Sequence, residues 1–253
     1  MQRQSELLIL GVIPARLNST RLPGKVLREI CGRPMLQHVF LRAKRSELLG
    51  DLVVATDSRE VFDYCAGAGI KALMTSSSHQ SGTDRIHEVM QSVPADIYVN
   101  IQGDEPMIRP EHLSALLQPF FDDVSAQVTT LKTPISPEEA RNPNCVKVVT
   151  GESGSALYFS RSAIPYRRDQ TAEARYFKHL GIYAYSRAAL DGFHHLPQSE
   201  LEQAERLEQL RFLEHGIPIH VAETPHNTIG VDTEEDLIQV ERYFRQLDPA
   251  ERL

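Results

Sequence analysis

Three cations crowd one loop near the start of the chain. In "ILGVIPARLNSTRLPGKVL", residues 9–27, an apolar run ends at Pro14 and gives way to Arg16, Arg21 and Lys25, interleaved with the small residues Ser19, Thr20 and Gly24. Small residues let backbone N–H groups approach an anion while the cations supply the opposite charge, so the loop can cradle a phosphate. The spacing is not the G-x-x-x-x-G-K-[ST] of a Walker loop, and a solvated basic turn between strand and helix has the same local composition. A second cluster, "VNIQGDEP", sets Asp104 and Glu105 directly beyond an apolar strand. Adjacent carboxylates on a tight turn suit Mg2+, which takes one or two carboxylates together with phosphate oxygens and water. Asp232 in "GVDTEED" is a further candidate ligand, expected to end a short strand segment. An acidic residue there also favours the dipole of the helix that follows. Cations facing carboxylates at strand ends point to phosphoryl-group chemistry by positioning and charge neutralisation. Covalent catalysis has no motif in its favour: there is no G-x-S-x-G elbow and no H-E-x-x-H helix, and Cys31 and Cys145 carry no diagnostic neighbours.

Such residues need a frame that gathers strand ends. Through the first half, apolar runs alternate with helical patterns. "ELLILGVIPA", "DLVVATDS", "IKALMT" and "ADIYVNIQGDEP" read as strands, and "PMLQHVFLRAKRSE", "REVFDYCAGAG", "TDRIHEVMQSV" and "PEHLSALLQPFFDD" as helices. This alternation predicts an α/β fold with a mostly parallel sheet flanked by helices, whose ligands bind outside the carboxyl ends of the strands. The second half breaks the rhythm. "AQVTTLKT", "CVKVVT", "ALYFSRS" and "LGIYAYS" are strand-like and close together, which predicts a mixed or antiparallel section. "LEQAERLEQLRFLEHG" reads as one helix ending at Gly216, "IPIHVAE" as a strand, and "TEEDLIQVERYFRQL" as a closing helix with Thr233 and Asp236 at capping-box spacing.

Composition narrows the class. A chain of 253 residues with 41% hydrophobic and 24% charged residues can bury a globular core. The net charge of −7 argues against a general nucleic-acid binder while leaving room for a local cationic pocket. The three cysteines, Cys31, Cys65 and Cys145, are odd in number and form neither a disulfide framework nor a zinc pattern, which suits a reducing compartment. The N-terminal apolar run, broken by Gly11 and Pro14, is too short to span a membrane and lacks a cleavage site. The expected address is the cytoplasm, with no membrane partner. No repeat or linker interrupts the chain, so residues 1–253 read as one domain.

"PARLNSTRLPGK" resembles the signature of the cytidylyltransferases that activate acidic sugars, and most specifically the 3-deoxy-manno-octulosonate cytidylyltransferase (CMP-Kdo synthetase) family. "VATDSREV", "MTSSSHQSGTDRIHEV", "VNIQGDEPMI", "PNCVKVV", "ALYFSRSAIPY", "KHLGIYAYSRAAL", "LEQLRFLEHG" and "GVDTEEDL" resemble that family's blocks in order, from about residue 8 to about residue 240. Sialic-acid relatives open with a loop more like "PARGGSKGIPGKN". Val26 stands where many relatives carry Pro, and Ala163 departs from their "SRSPIPY"; neither change removes a charge.

The resemblance implies a GT-A-like nucleotide-diphospho-sugar transferase fold with a mixed or antiparallel C-terminal elaboration. It implies a nucleotide-binding half of about residues 1–125 and a sugar-binding and dimerisation half of about 126–253. The implied reaction is CTP + Kdo → CMP-Kdo + diphosphate, with Mg2+, in lipopolysaccharide biosynthesis, carried out by a homodimer. Arg16, Lys25, Asp104 and Asp232 would be catalytic, with Arg16 and Lys25 on the CTP phosphates and Arg21 nearby. Ala15, Thr56, Ser81 and Gly82 would line the nucleotide pocket, and Asp104 and Asp232 would hold Mg2+. Gln102, Arg161, His179, Tyr183, Glu208 and Gln209 would surround the sugar. Arg161 suits a sugar carboxylate, and Glu208 and Gln209 would reach hydroxyls from one helix. His179 and Tyr183, four apart in a strand, share a face, where a buried hydrogen-bonded pair is the other reading. The alternatives are a cytidylyltransferase for 8-amino-3,8-dideoxy-manno-octulosonate or a sialic acid, and a nucleotide-binding regulator without turnover.

Overall fold

The apolar runs of the first half become strands in the computed structural model, which describes residues 7–17, 19, 21–79, 81–169 and 174–248. β1 (Ile9–Pro14) leads through a 3-10 turn at Lys25–Leu27 into a two-residue hairpin, β2 (Glu29–Ile30) and β3 (Arg33–Pro34). There follow α1 (Met35–Lys44), β4 (Asp51–Thr56), α2 (Arg59–Gly67), β5 (Ala72–Met74), α3 (Gly82–Ser92), β6 (Ile97–Asn100) and α4 (Pro110–Asp122). The later elements are β7 (Val128–Ile135), β8 (Lys147–Thr150), β9 (Ala156–Ser160), β10 (Tyr176–Ser186), α5 (Arg187–His195), α6 (Glu200–Glu205), α7 (Leu210–Glu214), β11 (Ile219–Glu223) and α8 (Glu234–Gln246). They form two compact units. The first runs to Ser114 and resumes at Thr228; the second is Ala115–Asn227.

In the first unit, β6, β1, β4 and β5 lie side by side, all parallel, with Val12 registered against Val53 on one flank and Asn100 on the other. Strands buried on both faces need near-continuous apolar runs rather than alternation, and β1, β4 and β6 have them. Parallel pairing brings the carboxyl ends at Pro14, Thr56 and Asn100 to one edge. The helices begin on side-chain caps: the Ser58 hydroxyl accepts from the Val61 N–H, and Ser81 and Asp84 form a capping box at the start of α3. The closing helix belongs here as well. α8 begins on the expected Thr233–Asp236 capping box, and Val231, Leu237, Val240 and Phe244 pack into one core cluster with Leu22, Ile30, Met35 and Met107. The segment that carries Asp232 is therefore part of the first unit.

The second unit is mixed, as the clustered strand patterns anticipate. β7 pairs antiparallel with β10 and parallel with β11, while β8 pairs antiparallel with both β10 and β9. β10 is longer than "LGIYAYS" suggests: it starts at Tyr176 and its register shifts between Leu180 and Tyr183. α5, capped by the Ser186 hydroxyl, and the β2–β3 hairpin are additions that periodicity did not signal. The single helix expected over "LEQAERLEQLRFLEHG" is corrected to two short ones. Arg206 takes the left-handed conformation at φ 54° and ends α6. Across that break, Arg211 grips Glu202 with two bonds, Nε to Oε2 at 2.7 Å and Nη2 to Oε1 at 2.6 Å, while its guanidinium lies 4.4 Å from the Phe193 ring centroid. A straight helix would hold these side chains on separate turns; the break lets them form a forked, nearly buried pair.

Candidate active site

The cationic loop and the "QGDEP" turn meet at the carboxyl edge of the first unit. Gly24, at φ 66°, takes a left-handed conformation that starts the turn presenting Lys25. Lys25 Nζ donates to Asp104 Oδ2 at 2.5 Å and to Asp232 Oδ1 at 3.0 Å, and Arg21 Nη2 pairs with Asp232 Oδ2 at 3.0 Å. Gly103 is required by close approach: a Cβ there would lie 2.8 Å from the Pro14 carbonyl oxygen. The result is a cleft of about 420 Å³ lined by Arg16, Arg21, Lys25, Gly82, Gln102 and Asp104, among others. Burial works against the Lys25 ammonium, but the charges and hydrogen bonds of Asp104 and then Asp232 outweigh it and hold its pKa above the usual lysine range.

Arg16 is oriented by backbone carbonyls. Its Nη2 donates to His79 O at 2.7 Å and to Ser81 O at 3.0 Å, which ties the opening loop to the start of α3. α3 is held in turn by Arg85, whose side chain is fully buried; Nη2 donates to Asp57 Oδ2 at 3.1 Å and Nη1 to the Thr75 hydroxyl. The side chains of Ala15 and Thr56 are fully buried and do not line the cleft. Ala15 extends the sheet through its N–H to Ala55 O at 2.9 Å, and Thr56 Oγ1 accepts from the Ser58 N–H at 3.1 Å. Ser81 uses its hydroxyl as the α3 cap. Ser19 lines the cleft, and Thr20 lies outside the described residues.

The acidic residues divide their tasks. Asp104 faces the cleft, while Glu105 is buried and its Oε2 accepts from Thr228 Oγ1 at 3.1 Å. Asp232 does not end a strand. It sits in an irregular segment before α8, where the neighbouring Val231 N–H donates to Asp104 O at 2.9 Å. Nothing near Thr228 in the sequence signals its link to Glu105, 123 positions away. Among the described residues no group of three or more His, Cys, Asp or Glu side chains is placed to hold a metal ion. Two carboxylates sharing one ammonium are nevertheless a hard oxygen donor set already gathered around one positive charge, and a magnesium site completed by phosphate and water asks for no more.

The residues expected around the sugar fall in two places. Gln102 lines the first unit's cleft, and the others lie in the second unit. His179 Nε2 is 3.0 Å from Thr130 Oγ1, and its ring centroid is 5.4 Å from that of Tyr183, which stacks on Tyr185. Burial, with a smaller contribution from Lys178, lowers the His179 pKa to about 3, so the imidazole is neutral at physiological pH. Among the described residues, the buried Gln209 Nε2 has no hydrogen-bond partner, while the buried Tyr183 hydroxyl lies beside Thr130. Glu208 and Gln209 sit in the turn between α6 and α7 rather than along one helix. Arg161 is braced: Nε donates to Glu205 O at 2.7 Å and Nη1 to Pro143 O at 3.2 Å, while its N–H donates to Glu205 Oε2 at 2.9 Å.

Comparison with known proteins shows the family and the fold. The family described as "Cytidylyltransferase" matches residues 10–222. The 3-deoxy-manno-octulosonate cytidylyltransferase of Koribacter versatilis (strain Ellin345) is 58% identical over 236 residues, 93% of this chain and 90% of the relative. The enzyme of the same name from Escherichia coli is 50% identical, over 93% of this chain and 95% of its own. A CMP:2-keto-3-deoxy-manno-octonic acid synthetase solved in complex with CTP superposes with a TM-score of 0.91 at 50% identity, covering 94% of this chain and 99% of that one. A Bacillus anthracis structure described as a putative glucose-1-phosphate thymidylyltransferase, at 15% identity and a TM-score of 0.66, shares the nucleotidyltransferase fold alone. By sequence over nearly its whole length and by fold, the chain belongs to the cytidylyltransferase family, among the 3-deoxy-manno-octulosonate cytidylyltransferases.

Proposed function

We propose that this protein transfers CMP from CTP to 3-deoxy-D-manno-octulosonate, releasing diphosphate. The observation that carries the reading is the convergence of Arg16, Arg21 and Lys25 on one cleft beside Asp104 and Asp232, in a chain whose relatives bear that activity in their names. Arg16 and Lys25 hold the triphosphate, with Arg21 beside them, and Gly82 gives the nucleotide a wall without a side chain. In the second unit, Gln209 Nε2 is a buried polar group with no partner among the described residues, and the buried Tyr183 hydroxyl shares its surroundings with Thr130. Leaving a group such as Gln209 Nε2 unpaired costs about 1–3 kcal/mol, and a sugar rich in hydroxyls offers the missing partner. His179, neutral and held at Thr130, Glu208 and Arg161 complete the sugar contacts.

The chemistry is in-line attack of the anomeric hydroxyl on the α-phosphorus, with departure of diphosphate. Lys25 turns from its two carboxylates toward the phosphates, and Arg16, fixed by the His79 and Ser81 carbonyls, meets the charge that builds on their oxygens. Asp104 and Asp232 would hold a Mg2+ ion, which would supply neutralisation of the phosphate charge. The enzyme works as a cytoplasmic homodimer in lipopolysaccharide biosynthesis; the family resemblance supports this part of the reading. Diphosphate release on mixing the protein with CTP, Mg2+ and the sugar tests it. Product with 3-deoxy-D-manno-octulosonate is expected, faster than with its 8-amino analogue or a sialic acid. Release with neither the sugar nor its analogues would refute the activity.

A further inference from the structure

Asp104 and Glu105 are chain neighbours, yet Glu105 has no part in the chemistry above. It is 9% exposed, and its partner Thr228 is 1% exposed, so their 3.1 Å hydrogen bond is shielded from water. Thr228 is the first residue of the segment that returns to the first unit, and Asp232 follows four positions later. Between them, Val231 packs in the core with Leu22 and Met35 and donates its N–H to Asp104 O at 2.9 Å. Beyond them, Asp236 Oδ2 accepts from the N–H groups of Asp232 at 3.0 Å and Thr233 at 2.9 Å. The segment has neither helix nor strand of its own to set its path. It is pinned at its start by Glu105, near its middle by Asp104 O and at its end by Asp236.

We propose that Glu105 and Thr228 are positioning residues: their buried hydrogen bond sets the path that delivers the Asp232 carboxylate opposite that of Asp104, and so sets the affinity of the pair for a divalent cation. This rests on the reading of Asp104 and Asp232 as cation ligands. The physical reason is that a cation held by two carboxylates is sensitive to their separation, and a site loosened by about 1 Å loses much of its strength. Burial strengthens the pin by removing water as a competing partner.

The test measures CTP binding by calorimetry, first in EDTA and then across a Mg2+ series, with folding followed by circular dichroism. Thr228→Val removes the donor while keeping the branched shape. The Mg2+ concentration that half-maximally tightens CTP binding is expected to rise about tenfold, with metal-free CTP affinity unchanged because Arg16, Arg21 and Lys25 are intact. Thr228→Ser restores the donor and the wild-type midpoint. Glu105→Gln, a weaker acceptor, shifts the midpoint in the same direction by less, and serves if Thr228→Val fails to fold. A wild-type midpoint in Thr228→Val and Glu105→Gln, or an equal loss of metal-free CTP affinity, overturns the proposal alone. A wild-type protein whose CTP affinity ignores Mg2+ overturns the cation reading and this proposal together.

Discussion

Asp104→Asn separates what this residue does for the fold from what it does for the site. Its contribution to the fold is largely main chain: the carbonyl that accepts from Val231 N–H is untouched by the substitution. The side chain is 28% exposed, and an asparagine oxygen can still accept from Lys25, which also retains Asp232. What is lost is the charge assistance of one partly solvated hydrogen bond, about 1 kcal/mol. For a chain of this size that lowers Tm by roughly 2–4 °C. The site loses far more, because an anionic ligand and half of the carboxylate pair disappear together. Removing one preorganised electrostatic contact in a transition state costs about 2.7–4 kcal/mol, or roughly 10²–10³ in kcat. A circular-dichroism melt reads the effect on the fold, and diphosphate release at saturating CTP and sugar, measured over a Mg2+ series, reads the effect on the site. Turnover near the wild-type rate at saturating Mg2+ would refute the assignment of Asp104. Loss of the folded state would refute the separation of its two roles.

Two more substitutions probe the second unit. Tyr183→Phe removes a buried hydroxyl beside Thr130, so KM for the sugar is expected to rise while KM for CTP holds and stability in urea melts changes by no more than about 1 kcal/mol. A loss of stability with unchanged KM would show that the hydroxyl serves the fold. His179 has a folded pKa of about 3 against an ordinary 6.5, because burial, and then Lys178, disfavours the imidazolium. The unfolded chain therefore takes up the proton first. Stability from this group is fully present above about pH 6.5 and erodes by up to about 1.4 kcal/mol per pH unit as pH falls toward 3. His179→Gln should flatten that part of the stability–pH curve, and an unaltered slope would place the titrating group elsewhere.

The fold was legible where local pattern and burial coincide. Apolar runs such as "LVVAT" are strands because a sheet covered on both faces tolerates no alternation, and Thr233 with Asp236 announced α8 three residues apart. The second unit was legible as mixed but not in detail. "LEQAERLEQLRFLEHG" carries good helical spacing throughout, and the left-handed turn at Arg206 is stabilised by contacts at a distance, Arg161 to the Glu205 carbonyl and Arg211 to Glu202. The residues Ala15 and Thr56, expected at the nucleotide, sit at the right strand ends with their side chains turned into the core.

Local patterns in the chain fix the kinds of group available: a cationic loop after β1, carboxylates after β6 and before α8, and a core able to bury parallel strands. Which of them meet is set by the packing of segments far apart in the chain. Lys25 finds Asp104 at a separation of 79 residues and Asp232 at 207, and Glu105, adjacent to Asp104, turns instead to Thr228. Periodicity records which side of an element faces the core because that is a property of neighbouring residues. The partner across a cleft is chosen by how distant segments pack, and no local spacing carries that choice.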